Sequence, residues 1–112
     1  MNIYELHLKK RKQLQEEEFD VYTLIEALEK LKDSYNRIEK AYIENDISYL
    51  EEVDFNTYSK VEASSNPEGY IKMTLESINK LLFKNKNKIR NLSKRLNSID
   101  SKIFTLEDKF ED

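Results

Sequence analysis

Few residues in this 112-residue chain are of the types that carry chemistry. His7 is the only histidine and there is no cysteine, so the usual side-chain ligands of a transition metal are missing. Neighbouring acids such as Glu16 and Glu17 point in different directions on a helix, whereas an acid/base pair must converge on one substrate. Gly69 is the only glycine, which leaves no glycine-rich phosphate loop. The sequence therefore predicts a protein that is not an enzyme and holds no cofactor or metal.

A run of basic residues in the second half is the one feature that suggests nucleic acid. Between residues 80 and 95 the chain has seven lysines and arginines and no acid. Nucleic-acid binding would need this positive charge to be uncompensated, yet the whole chain has a net charge of −3. An acidic helix beside the run would neutralise it. We therefore expect no nucleic-acid partner.

The apolar residues of the second half recur at alternating steps of three and four, which is a heptad repeat. They are Ile71, Leu75, Ile78, Leu82, Ile89, Leu92, Leu96, Ile99, Ile103, Leu106 and Phe110, with Asn85 in the one polar place. The repeat predicts a long helix whose seam, the row of a and d positions, faces a partner helix. Pro67 suits a first helical position, so we place this helix at about 67–110.

The first half carries a similar repeat, formed by Leu14, Val21, Leu24, Leu28, Leu31, Tyr35, Ile38 and Tyr42. It predicts a helix at about 3–45, followed by a connector at about 46–66. On this register His7, Lys10 and Glu17 also fall on the seam, so the N-terminal end should be its weakest part. The predicted fold is all-α: an elongated antiparallel helical hairpin, coiled-coil-like, with a partly helical connector and a single domain over 1–112.

Charge favours the antiparallel orientation of the two helices. In that orientation the basic run lies beside the acids of residues 16–33, and the basic block 9–12 lies beside the acidic C-terminal end. Each exposed pair contributes only about 0.2–1 kcal/mol, so the charges select an orientation rather than hold the helices together. An antiparallel dimer, or a complex with a different helical chain, would satisfy the same pattern.

Several residues are candidates for contact with a protein partner. They are Leu8, Leu14 and Phe19 in the N-terminal half and Leu50, Phe55 and Tyr58 in the connector. Asn85 either fixes the register and the choice of partner, as polar seam residues do in coiled coils, or turns to water at the edge of the seam. No stretch approaches the roughly 20 apolar residues of a membrane span, and the N-terminus has no signal-peptide pattern. We expect a cytoplasmic protein, or one secreted with its partner by a route independent of a signal peptide.

An aromatic-x-x-x-acid pattern, Phe104 to Asp108, lies near the C-terminus with its two residues one helical turn apart. Together with a cysteine-free helical hairpin of about this length, the pattern resembles the small proteins of Gram-positive type VII secretion, in particular the helical targeting proteins associated with LXG toxins. The chain has no Trp, so the W-x-G turn of such hairpins is absent. The resemblance implies an export motif at Phe104 and Asp108. It also implies as partner the N-terminal helical domain of an LXG toxin, with a second small helical protein as a further candidate.

Three functions are compatible with this sequence. The first is a non-enzymatic adaptor or targeting chaperone for an LXG toxin. The second is a small phage- or plasmid-encoded inhibitor or antitoxin, in which the acidic connector and the Glu-rich helix would block a basic site. The third is a self-associating structural coiled coil, which a stable homodimer would reveal. All three act by protein binding.

Overall fold

In a computed structural model, which describes residues 2–110 apart from the side chain of Phe110, the chain forms three α-helices and one 3-10 turn. They are α1 (Ile3–Glu44), the 3-10 turn (Ile47–Leu50), α2 (Phe55–Glu62) and α3 (Pro67–Phe110). No strand occurs in residues 2–110. The predicted all-α class and the pairing of two long helices are confirmed. α1 ends one residue before its expected bound, and α3 has the expected bounds.

Polar residues mark the ends of the long helices. The side chain of Asn2 accepts a hydrogen bond from the backbone N–H of Glu5 at 2.8 Å, which caps the start of α1. Asn45 follows α1 with a φ of 51°, the left-handed conformation that commonly ends a helix. Asn66 caps α3 by accepting from the N–H of Gly69 at 3.1 Å. A Cβ at Gly69 would lie 2.5 Å from the Asn66 amide nitrogen, so glycine permits this cap.

The chain divides into two compact units, which are residues 1–25 with 85–112 (unit 1) and residues 26–84 (unit 2). In unit 1 the parts of α1 and α3 run antiparallel, because residues further along α1 contact residues that come earlier on α3. These contacts are Tyr4 with Glu107 (2.8 Å), Arg11 with Asp100 (3.5 Å) and Glu17 with Lys88 (3.8 Å). The basic run and the basic N-terminal block thus each meet an acid of the opposite helix, as charge predicted.

In unit 2 the connector lies against α1. Arg37 on α1 forms ion pairs with Asp33 at 2.8 Å and with Glu52 of the connector at 3.4 Å. Ile38 of α1 and Val61 of α2 are both fully buried, at 0% exposure. The short helix α2 therefore adds a third layer of apolar side chains to this unit.

The seam of α3 follows the predicted heptads. Its buried members are Ile71, Ile78, Leu82, Leu92, Leu96 and Ile103, and its half-buried members are Leu75, Ile89, Ile99 and Leu106. Phe110, the last predicted member, has a side chain outside the described part of the chain. This helix therefore presents apolar side chains at both the a and the d positions.

The seam of α1 differs from the prediction in one of its two rows. Leu24 and Leu31, predicted on the seam, are 47% and 37% exposed, while Ile25 is buried at 9%. The observed row also includes Arg11 and Glu18, whose long stems cover apolar surface while their charged ends reach polar groups of α3. Sequence periodicity favoured the leucines because they are apolar, but as far as Ile25 the row that faces α3 lies one residue further along. Ile38, in the predicted row, is fully buried as predicted.

Lys10 and Glu17 are exposed, so their predicted positions on the seam were wrong for the same reason. The other row, which includes Leu14, Val21, Leu28 and Tyr35, is buried as predicted. α1 therefore contributes one apolar row and one mostly polar row to its contact with α3. The helix pair buries less apolar surface than two full heptad seams would.

Candidate partner-binding surfaces

Several of the residues predicted to bind a partner are accessible on the surface. Phe19 and Phe55 are among the most exposed large side chains, at 71% and 77%. Three other predicted partner-binding residues are half-buried, namely Leu8, Leu50 and Tyr58. Phe19 projects from α1 in unit 1, and Phe55 begins α2 in unit 2. Aromatic rings of this kind anchor protein interfaces when a partner covers them.

The prediction that Leu14 contacts a partner is wrong, because Leu14 is only 2% exposed and lies in the core of unit 1. It belongs to the apolar row of α1 that faces α3, together with Val21 one heptad later. A partner could reach Leu14 only by displacing α3. Its assignment to a partner-binding surface was therefore wrong, and its role is structural.

Sequence reasoning missed a larger set of exposed apolar residues. They are Ile3, Leu6, Tyr22, Leu24, Ile43, Ile47, Met73, Leu81 and Phe83, each at least 46% exposed. Those on α1 could be recognised only once its register was known, whereas Met73, Leu81 and Phe83 lie outside the seam of α3, which the sequence placed correctly. Single exposed apolar residues are ordinary on protein surfaces, but this number on a chain of 112 residues is consistent with surfaces that a partner covers.

Phe104 and Asp108 both lie on the outer surface of α3. Phe104 is 71% exposed, and Asp108 is also exposed. The seam in this region is occupied by Ile103, at 2% exposure, and by the half-buried Leu106. Phe104 therefore does not serve as core packing, and a partner could contact the ring and the carboxylate together.

An apolar groove lies in unit 1 between the start of α1 and the end of α3. It has a volume of about 320 Å³ and is lined by Ile3, His7, Ser101, Lys102, Thr105 and Leu106. His7 is half-buried in this wall. Among the described residues, no group of three His, Asp or Glu side chains could hold a metal ion. The groove offers an apolar wall with a lysine at its edge.

An acidic groove lies in unit 2, where the connector approaches α1. It has a volume of about 600 Å³ and is lined by Glu26, Glu29, Lys30, Asp33, Ser34, Glu52 and Asp54. Five of these seven residues are acids, and Arg37 pairs with two of them, Asp33 and Glu52. The acids still outnumber the bases, so the surface attracts basic groups. Sequence identified the acidic character of this region but not its shape, because the groove forms only when the connector folds back on α1.

Two tyrosines bind one carboxylate in unit 2. Tyr42 of α1 donates a hydrogen bond to Glu62 Oε1 at 2.7 Å, and Tyr58 of α2 donates a short one to the same oxygen. Burial, followed by the hydrogen bond to Glu62, raises the pKa of Tyr42 to about 12. The hydrogen bonds from Tyr58 and Tyr42 lower the pKa of Glu62. This cluster joins the end of α2 to α1, and the hydroxyl of Tyr58 is engaged in it.

The cluster predicts that the docking of α2 depends on pH in both directions. A lowered carboxyl pKa stabilises the fold above the ordinary value of 4.5, and this contribution is lost as pH falls through the folded value. The raised pKa of Tyr42 stabilises the fold below the ordinary value of 10.0, and this contribution is lost as pH rises through about 12. The docking should therefore be strongest between the two ordinary values.

A spectroscopic titration of tyrosine absorbance checks this expectation. In the native chain at least two ionisations should occur well above the ordinary tyrosine pKa, because the pKa of Tyr35 and that of Tyr42 are each raised to about 12, and Tyr42→Phe should remove one of the two. Glu62→Gln should move that ionisation to lower pH, because the carboxylate that accepts the hydrogen bond is gone. An unchanged titration curve in Glu62→Gln would show that the cluster does not form in solution.

Asn85 lies on the seam of α3 in unit 1 and is 9% exposed. The alternative in which its side chain turns out to water is therefore not observed. Every buried side-chain nitrogen or oxygen atom in the described part of the chain has a hydrogen-bond partner. The role of Asn85 in register and partner choice stays a prediction.

Comparison of the chain with protein-family models, with curated proteins and with solved structures gives no match. Across residues 2–110, no helix has both the length and the apolar character that crossing a membrane requires. The fold and its surfaces thus define an all-α protein of paired long helices that exposes apolar side chains, an apolar groove and an acidic groove. A protein with these surfaces is suited to binding other proteins.

Proposed function

We propose that this chain is a non-enzymatic helical adaptor, or targeting chaperone, that binds the N-terminal helical domain of an LXG toxin for type VII secretion. One observation supports it most directly: the helix pair exposes large apolar side chains while one row of its own seam is mostly polar. Examples are Phe19 and Ile43 on α1, which are 71% and 75% exposed. A chain with this distribution gains stability when a partner covers its outer surface.

The binding step would be burial of apolar side chains between helices. Full burial of one large apolar side chain contributes about 1.5–3 kcal/mol, so a few such contacts support a specific complex. Partner helices would pack on α1 and α3 and form a larger helical bundle with this chain. A second small helical protein could add to the same bundle. The complex would assemble in the cytoplasm before secretion.

The targeting step would use Phe104 and Asp108. Both are exposed near the end of α3, where they stay available if partner helices cover other parts of the surface. The secretion machinery would read the ring and the carboxylate one helical turn apart. Their exposure supports this role, as does the resemblance of the pattern to the motif of the type VII family.

A second candidate function is an inhibitor or antitoxin that binds a basic surface. The observation that favours it is the acidic groove of unit 2, in which Glu26, Asp33 and Glu52 are among the acids. A toxin that acts on nucleic acid has a basic site, and this groove could cover such a site.

The salt dependence of partner binding distinguishes the two candidate functions. An immobilised chain that captures an LXG domain through apolar contacts should retain most of it between low and high salt, since burial of apolar surface is not screened. A basic toxin domain held by the acidic groove should elute steeply over the same range. Failure to capture an LXG domain at any salt concentration would count against the adaptor, and capture of a nuclease-type domain would favour the inhibitor.

A further inference from the structure

We infer that the apolar groove of unit 1 binds an amphipathic helix whose apolar stripe is flanked by acidic residues. This inference rests on the proposed adaptor function and names the surface and the partner chemistry through which it would work. It concerns the groove lined by Ile3, His7, Ser101, Lys102, Thr105 and Leu106.

The groove has an apolar wall that is open to solvent. Ile3 of the lining is 62% exposed, and Leu6, one helical turn further along α1 and outside the lining, is 53% exposed. Leu106 forms the opposite wall from α3 and is half-buried. A helix that places its apolar stripe against two paired helices covers side chains of both, as in other helix-in-groove complexes. The area exposed by Ile3 would then leave water.

The edge of the helix pair beside this groove is basic. On α3 one heptad row carries only basic residues in this unit, namely Lys88, Arg95, Lys102 and Lys109. On α1, Lys10 follows Ile3 by one heptad, and both Lys10 and Lys102 are exposed. Glu17, the next residue of this α1 row, pairs with Lys88 at 3.8 Å, so the uncompensated positive charge lies nearer the groove. A helix in the groove would therefore meet positive charge along its flank.

Two acids of the same region, Asp100 and Glu107, lie on the opposite edge of the pair, while Asp108 shares a heptad row with Ser101 of the groove lining. Asp100 forms an ion pair with Arg11 at 3.5 Å, and Glu107 accepts a hydrogen bond from Tyr4 at 2.8 Å. Both acids occupy a heptad row different from that of Lys102. The two edges thus differ in charge, and the groove edge selects acidic flanks and repels basic ones.

A pair of synthetic helical peptides tests the charge argument. Both peptides carry the same leucine heptad stripe, and the flanking positions are glutamate in one and lysine in the other. Fluorescence anisotropy should show that the glutamate peptide binds the full chain at least about tenfold more tightly at low salt. Equal affinities, or tighter binding of the lysine peptide, would overturn the inference.

Two variants test whether binding occurs at this groove. Ile3→Glu and Lys102→Glu should each weaken binding of the glutamate peptide by at least about tenfold. Ile3→Glu removes part of the apolar wall, and both variants add a charge that repels the peptide. Met73→Glu is the matched control: it is 70% exposed on α3 but lies in unit 2, and it should leave the affinity unchanged. Circular dichroism of each variant should match the native chain. Equal loss in the control would mean that the peptide does not use the groove.

Capture of an LXG N-terminal domain separates this inference from the proposed function. If the native chain captures that domain and Ile3→Glu captures it equally well, the groove assignment is wrong and the adaptor function stands. If the native chain captures no LXG domain yet discriminates the two peptides through Lys102, the function is wrong and the groove assignment stands. A native homodimer that Ile3→Glu dissociates would show that a second copy is the occupant, which would also overturn the inference.

Discussion

Ile38→Ala is expected to remove much of the chain's stability, whereas Leu31→Ala should have a small effect. The two residues occupy the same heptad row of α1, one heptad apart. Ile38 is 0% exposed, and α2 adds its buried Val61 to the same unit, while Leu31 is 37% exposed. Removing a buried isoleucine to alanine costs about 2–5 kcal/mol, and a partly exposed leucine should cost below about 1 kcal/mol.

Urea unfolding followed by circular dichroism measures both values. The native chain is the reference, and unchanged slopes of the unfolding curves would show that the comparison concerns stability alone. A loss of the same size in the two variants would contradict the observed register. It would indicate that Leu31 packs on the seam, as periodicity alone suggests.

Phe104→Ala and Asp108→Ala are expected to abolish export while partner binding is retained. Both side chains are exposed, and alanine favours the helix, so the free energy of unfolding should change by no more than about 0.5 kcal/mol. Secretion of the toxin complex into the culture medium is the readout. Point substitutions are needed, because deletion of the C-terminal end would also remove Leu106 from the apolar groove.

Phe83→Ala is the matched control for this experiment. Phe83 is 70% exposed and occupies the same heptad row of α3 as Phe104, which is 71% exposed. Export should survive in the control, since only the C-terminal aromatic residue belongs to the motif. Normal export of the Phe104→Ala chain would refute the motif, and loss of export in both variants would point to general loss of aromatic surface instead.

The helices of this chain were more predictable from sequence than their packing. α3 was placed correctly in both bounds and seam, because its apolar residues fill both heptad rows and Pro67 marks its start. α1 was harder, because its second row contains Arg11 and Glu18, which periodicity counts as polar. Periodicity therefore placed Leu24 on the seam, although Ile25 is the buried residue.

The candidate surfaces were predictable only in part for a related reason. Phe19 and Phe55 were predicted to contact a partner and Phe104 to belong to an export motif, and the structure leaves all three exposed. The two grooves depend on which residues of distant segments meet. Ile3 and Leu106 are far apart in sequence and line one groove only because the helices run antiparallel in unit 1. Local patterns do not contain that information.

The central claim is that this chain works by binding a helical protein partner. The most direct test is to express the tagged chain together with its chromosomal neighbours, recover it and size the complex by light scattering. We expect a one-to-one or tripartite complex that contains an LXG-type protein. Recovery of a lone homodimer, or of a nuclease or toxin domain as the only partner, would contradict the adaptor function.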